Sequence, residues 1–215
     1  MARTPFDPVL RWIAASLVIS AVAAAKPAPL PAHYAPLFER GKTWVYDTSL
    51  QYWGGEDKPT RHTEHDKVTC KVVEVAQRAG ATISHITCDK GLGRKFDVPG
   101  FYAGTAAGLW RFGDADQPPD ADTVRAILRE PPLIAGAPTV AEKVTRTGLF
   151  DPKHDTILTG VRESPKIQGW CAYEDTSNAD PDGGRVVACY GPSVGIQSGY
   201  NDVGGELNKF EFTAR

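Results

Sequence analysis

Apolar and polar residues alternate along most of the chain, in short runs broken by glycine, proline and polar clusters. The clearest case is "VTCKVVEVAQRAGATISHITC", Val68 to Cys88. Alternation at period two predicts half-buried strands, and "QRAG" between the runs predicts a turn in which Gly80 takes positive φ. Folding the stretch about Ala79 sets Cys70 against Cys88, Val72 against Ile86, Glu74 against Ser84 and Ala76 against Thr82. On the other face Val73 meets His85 and Val75 meets Ile83. A second stretch, "WCAYEDTSNADPDGGRVVAC", folds about Asp180. It sets Cys171 against Cys189, Ala172 against Ala188, Tyr173 against Val187 and Glu174 against Val186. Directly opposed antiparallel residues sit within the span a disulfide bridges. Of the three connectivities open to four cysteines, this geometry selects Cys70–Cys88 and Cys171–Cys189.

The same pattern carries through the rest of the chain. "AHYAPLFERG" predicts one or two helical turns stopped by Gly41. "KTWVYDTSLQYWGG" predicts a strand with Trp44, Tyr46 and Thr48 on one face and Val45 and Asp47 on the other. "EDKPTRHTEHD" reads as a polar loop. "KFDVPGFYAGTAAGLWRFGD" predicts two strands about a turn at "TAAG", the second running through Leu109–Phe112. "TVRAILREPP" holds room for a brief helix that its prolines end. "TVAEKVTRTGLF", "DTILTGVRES", "VGIQSGYND" and "ELNKFEFTAR" predict further strands, with Phe210 and Phe212 on one face of the last. The fold class expected is mostly β, all-β or β-rich α+β. Nine to eleven short strands would form a curved antiparallel meander or half-barrel, with one or two short helices and two disulfide-stapled hairpins.

The N-terminus breaks the pattern. Arg3 and Arg11 precede an apolar run from Trp12 to Ala25 that ends in small residues, the form of a secretory signal peptide. The run is shorter than the roughly 20 residues that span a bilayer, so the expectation is residues 1–25 as a cleaved signal and no membrane span afterwards. "KPAPLPAHYAP" is too rich in proline for a helix or a central strand. Residues 26–36 are therefore expected to be a linker, and 37–215 a single β-rich domain.

Composition narrows the function classes. The chain carries 24 basic and 26 acidic residues; without Arg3, Arg11 and Asp7 the remainder carries 22 and 25, a net charge near −3. No basic block or basic-aromatic stripe is present, which argues against nucleic acid as a partner. Twenty-one glycines and 17 prolines favour turns and short strands over long helices. An even number of cysteines behind a signal peptide points to an exported protein, periplasmic or secreted.

Three blocks resemble a family of exported bacterial β-rich proteins. They are the opening "PLFERGKTWVYD", the mid-chain "GLWRFG" and the ending "YGPSVGIQSGYNDVGGELNKFEF". That family is largely uncharacterised and loosely similar to the half-barrel folds of periplasmic lipoprotein carriers. The resemblance implies a curved sheet in an oxidising compartment and room for an acyl chain. It carries no catalytic residue, and the chain departs from envelope lipoproteins in having no cysteine at the leader's end.

Four groups of residues could carry chemistry. "GPSVG", Gly191 to Gly195, matches a nucleophile elbow around Ser193, but an elbow needs a helix after it and a later histidine; His154 is the last. His62 and His65 in "RHTEHD" are weak metal candidates, as are the oxygens of Asp175, Asn178, Asp180 and Asp182 for calcium. Trp44, Tyr46, Trp53, Trp110 and Trp170 could line a pocket for an apolar ligand, or else fill the core. No cofactor is expected. The expectation is therefore a non-enzymatic exported domain that binds an apolar or lipid-like molecule or docks an envelope protein. The alternatives are a structural or interaction module without a small ligand, and a secreted hydrolase.

Overall fold

The computed structural model describes residues 28–54, 60–89, 98–112, 117–146, 156–177, 184–203 and 208–215. They form β1 (Thr43–Gly54), β2 (Thr60–Arg78), β3 (Ala81–Cys88), β4 (Gly100–Gly104), β5 (Gly108–Arg111), α1 (Ala121–Ile127), β6 (Ile134–Ala135), β7 (Ala141–Arg146), β8 (Thr156–Ser164), β9 (Gly169–Asp175), β10 (Gly184–Gly191), β11 (Gly195–Val203) and β12 (Asn208–Ala214). Short 3-10 turns cover Ala35–Phe38 and Pro165–Ile167. The fold is the mostly β, antiparallel meander expected, with both stapled hairpins present.

All twelve strands belong to one antiparallel sheet in the order β6-β5-β4-β3-β2-β1-β12-β11-β10-β9-β8-β7. Every neighbouring pair but one is consecutive in sequence. The exception is β1 with β12, which pair from Tyr46↔Ala214 to Gln51↔Lys209 and join the two halves. The two edge strands, β6 and β7, are themselves consecutive in the chain. A flat sheet of this many strands would hold its edges roughly 50 Å apart at about 4.8 Å per strand. The connection from Ala135 to Ala141 reaches at most about 20 Å. The sheet therefore curls until its edges approach, leaving a seam between β6 and β7 rather than a closed barrel.

The hollow of the curl holds the main core. Trp44, Tyr46, Val68, Cys70, Val72, Ile86, Tyr102 and Leu109 pack there with Tyr34, Leu37 and Phe38. The last three come from the stretch leading into β1, so the chain is folded earlier than the expected linker boundary at residue 36. Pro31 O accepts from the amides of Tyr34 and Ala35, and the Tyr34 hydroxyl donates to Thr105 O at 2.5 Å. Prolines do not prevent this, because a 3-10 turn accepts proline at its start. The segment plugs one end of the hollow. Two glycines make space for it: a Cβ at Gly104 would meet the Phe38 ring at 2.5 Å, and one at Gly195 would meet Leu37 at 2.5 Å. On the convex face, α1 covers a smaller cluster of Ile83, Phe101, Ala103, Trp110 and Val124. Asp120 caps α1 by accepting from the Thr123 amide at 2.7 Å.

Three expectations about the strands are corrected. The β9–β10 hairpin keeps the predicted register residue for residue, but β2–β3 departs after Val72↔Ile86. A bulge between Val72 and Glu74 pairs Glu74 with His85, Val75 with Ser84 and Ala76 with Ile83. The reason is chemical: unbroken alternation would have carried Glu74 inward behind Cys70 and Val72. The bulge leaves Val73 exposed, turns Glu74 out and packs Val75 against the core. The β2–β3 turn is shorter than "QRAG". Only Ala79 and Gly80 form it, with φ +49° and +85°, the handedness a two-residue hairpin wants. "RHTEHD" is strand, not loop: Thr60 to Asp66 pair with Gly54 to Thr48 of β1, although every side chain from Thr60 to Lys67 is exposed.

Candidate ligand cavity

The plug leaves the other part of the hollow open. A cavity of about 230 Å3 lies between the two halves of the sheet. Val98 and Tyr102 of the β4 side and Arg111 of β5 line one wall; Val186, Ala188 and Tyr190 of β10, Ile196 and Asn201 of β11, and Phe210 and Phe212 of β12 line the other. Register explains why these side chains converge. Val186, Asn201 and Phe210 are direct cross-strand partners, and so are Ala188, Gly199 and Phe212. Two adjacent rows across three strands thus face the hollow. Gly199 lets the Phe212 ring lie flat over the sheet, since a Cβ there would meet that ring at 2.2 Å.

A wider trough of about 590 Å3 continues from the cavity, sharing Leu133, Val186, Ala188 and Tyr190. It runs to the seam. Pro131 and Pro132 before β6 form one lip, and Ala141, Glu142 and Lys143 of β7 form the other. The charged residues of the trough are Glu142 and Lys143 on the β7 lip, where the Tyr173 hydroxyl donates to Glu142 Oε2 at 2.8 Å, and Glu174 of β9, the cross-strand partner of Val186; Arg111 adds a charge in the cavity. Arg111 Nη2 donates to Pro99 O at 2.9 Å, and the Tyr102 hydroxyl donates to Val98 O at 2.7 Å. Burial drives the Tyr190 phenol far up, so it is neutral at any working pH. The Asn201 Oδ1 is closed off by surrounding protein atoms and has no hydrogen-bond partner among the described residues.

The predicted aromatic set falls elsewhere. Trp44 and Tyr46 lie in the main core, Trp110 under α1 with its indole donating to Glu130 O at 2.9 Å, and Trp170 half-buried against the core edge. The side chain of Trp53 lies outside the described residues. Tyr46 touches the cavity wall from behind, with its ring edge-on to Phe212 at 5.1 Å. The residues that do line the cavity include no tryptophan and come from strands far apart in sequence. Their one sequence signal was the shared face of Phe210 and Phe212.

The other candidates are not assembled. His62 and His65 lie three apart on a strand and so point to opposite faces. His62 stacks on Tyr52 at 5.3 Å and pairs with Thr60 Oγ1 at 2.9 Å. His85 stacks on Phe101 at 4.2 Å on the convex face. Among the described residues no group of three or more His, Cys, Asp or Glu converges as a metal site. Asp175 accepts from Ser177 and faces Arg185 at 3.9 Å; Asn178, Asp180 and Asp182 lie outside the described residues. Ser193 donates to Gln197 Oε1 at 2.6 Å, on a turn that leads from β10 into strand β11 instead of a helix. The elbow geometry is thus not formed.

No protein-family model matches the chain, and neither a curated protein nor a solved structure matches it. Among the described residues no helix is long and apolar enough to cross a membrane. The two intramolecular disulfides are consistent with an oxidising environment. Fold and cavity together define a disulfide-clipped, single-sheet β domain with an apolar trough open at its seam.

Proposed function

We propose that this chain is an exported binding domain, periplasmic or secreted, that holds an apolar or lipid-like small molecule in the trough between its sheet halves. The observation that carries this reading is the apolar cavity itself. Interiors normally pack without such voids. Were the space of about 230 Å3 a closed void it would cost about 5.5 kcal/mol at about 24 cal/mol per Å3; being open on one side, it costs less. A fold of marginal stability keeps such a space when something fills it. Export is supported by the basic-then-apolar leader and by the oxidised cysteines. Kinship with bacterial lipoprotein-carrier half-barrels is part of the same proposal. Native mass spectrometry of freshly purified mature protein tests it. The expected result is a mass excess that delipidation removes and that extraction identifies as apolar. A protein of bare mass that also fails to take up an added apolar fluorophore would overturn the reading.

One observation favours docking on a partner protein as a second reading. Val140 and Val144, at the free edge strand β7, are 73% and 59% exposed, and an open edge can accept a further strand.

A further inference from the structure

We propose that the ligand of the trough is a betaine-type amphiphile, with a cationic nitrogen next to its apolar body and an anionic group farther out. The inference rests on the apolar-ligand reading above and adds the charge order of the ligand's head. It comes from one row of side chains. Val186 of β10 pairs with Glu174 of β9, Glu174 with Thr159 of β8, and Thr159 with Lys143 of β7. Directly opposed residues of an antiparallel sheet point to the same face, and all four line the trough. The row therefore runs outward from the cavity, which Val186 also lines, through a carboxylate and a hydroxyl to an ammonium on the seam. The neighbouring row, Ala188, Ala172, Val161 and Ala141, is apolar throughout and lines the same trough. The backbones that carry the two charges are two strand spacings, roughly 10 Å, apart, so the head of one ligand can lie between them. Charge order then selects the head, since complementary charges fix register and exclude wrong partners. A simple anion meets Glu174 before Lys143. A simple cation gains Glu174 but is repelled by Lys143, and a phosphocholine head sets its phosphate against Glu174. A head with its nitrogen inside and its anion outside satisfies both residues. Arg111 stands on the facing wall, on β5, and Glu142 points to the other face of β7, where the Tyr173 hydroxyl holds it, so neither belongs to this row.

The test measures displacement of N-phenyl-1-naphthylamine from the mature protein by decyl sulfobetaine and by decylphosphocholine, each below its micelle-forming concentration. The two share a tail and are both net neutral; the first carries its cation next to the tail, the second its anion. Wild type is expected to bind the sulfobetaine about fivefold more tightly, the scale of a pair of solvent-exposed ion contacts. The charge swap Glu174→Lys with Lys143→Glu is expected to reverse the preference, and Glu174→Gln with Lys143→Gln to bring the two affinities together. Both positions are exposed, so neither double variant disturbs the core. Equal affinities or a preference for decylphosphocholine in wild type, an unchanged ratio in the variants, or binding of the fluorophore alone would overturn the charge order while leaving the apolar-ligand reading intact. Failure of both amphiphiles and of the fluorophore to bind would overturn the two together.

Discussion

The Tyr46 hydroxyl donates to the carbonyl of Ile196 at 2.7 Å, spanning 150 residues of sequence. It ties β1 to β11 across β12, alongside the non-consecutive strand pairing that joins the two halves of the sheet. Tyr46 is fully buried, and burial pushes its phenol well above the ordinary value, so it stays a donor. Tyr46→Phe keeps the ring against Phe212 but strands the bond. It should lower stability by about 1–3 kcal/mol, read as a shift of the urea midpoint at unchanged m. An unchanged midpoint would mean that the two halves are held by backbone pairing and packing alone.

The clips should matter more than any single contact. Each closes a loop with a sequence separation of 18, which the chain-entropy model values at roughly 3 kcal/mol. A domain of this size has about 5–15 kcal/mol in total. Replacing Cys171 and Cys189 together by serine should therefore lower the denaturant midpoint markedly, and full reduction should unfold the protein or nearly so. Non-reducing peptide mapping should find Cys70 linked to Cys88 and Cys171 to Cys189. Persistence of the native circular dichroism after complete reduction would contradict this weighting.

Local order was legible in the sequence wherever neighbours in sequence are neighbours in space. The β9–β10 register follows from the cysteines and an unbroken alternation, and the structure keeps it to the residue. In β2–β3 the alternation contained its own warning, an inward-pointing Glu74, and the bulge at Val73 is the answer to it. Thr60 to Asp66 looked like a loop because all its side chains are polar; a backbone ladder to β1 makes it strand without any apolar face. The β1–β12 junction was not legible, since nothing local marks a pairing between the ends of the folded chain. Neither was the cavity. The largest aromatics drew attention, but large side chains fill space, and Trp44 and Tyr46 do so at the plugged end. Val186, Asn201 and Phe210 meet only through strand register.

Acid should loosen the plug. His33 is buried, donates from Nε2 to Ala135 O at 3.1 Å, and has its pKa lowered from 6.5, chiefly by burial, against the raising effect of that bond. A lowered folded pKa means that the unfolded chain binds the proton first. The stability is fully present above pH 6.5 and is lost as pH falls through the lowered folded value, by at most about 1.4 kcal/mol per pH unit. His33→Gln keeps a donor and removes the titration. Denaturant midpoints at pH 7.5, 6.5 and 5.5 should decline less steeply in the variant. Parallel slopes would show that His33 titrates alike in both states.

Two glycines with the same backbone separate packing from conformation. Gly41 and Gly195 have φ of +84° and +82°, yet a Cβ at Gly41 meets nothing within 4 Å while one at Gly195 meets Leu37 at 2.5 Å. Gly41→Ala should cost about 1 kcal/mol, the left-handed penalty alone. Gly195→Ala should cost about 2 kcal/mol more, because Leu37 must shift out of its seat. Equal losses in thermal unfolding would show that the N-terminal plug is not held by Leu37.

The most direct test of the account is to fill the cavity. Ala188 lines both the cavity and the wider trough, and Ala188→Phe places a ring where a ligand chain would lie. Fluorescence titration with N-phenyl-1-naphthylamine should give saturable binding to wild type and at least tenfold weaker binding to Ala188→Phe, with thermal stability equal or higher. Saturable binding of equal strength in both proteins, or none in wild type, would contradict the claim that this sheet curls around a ligand.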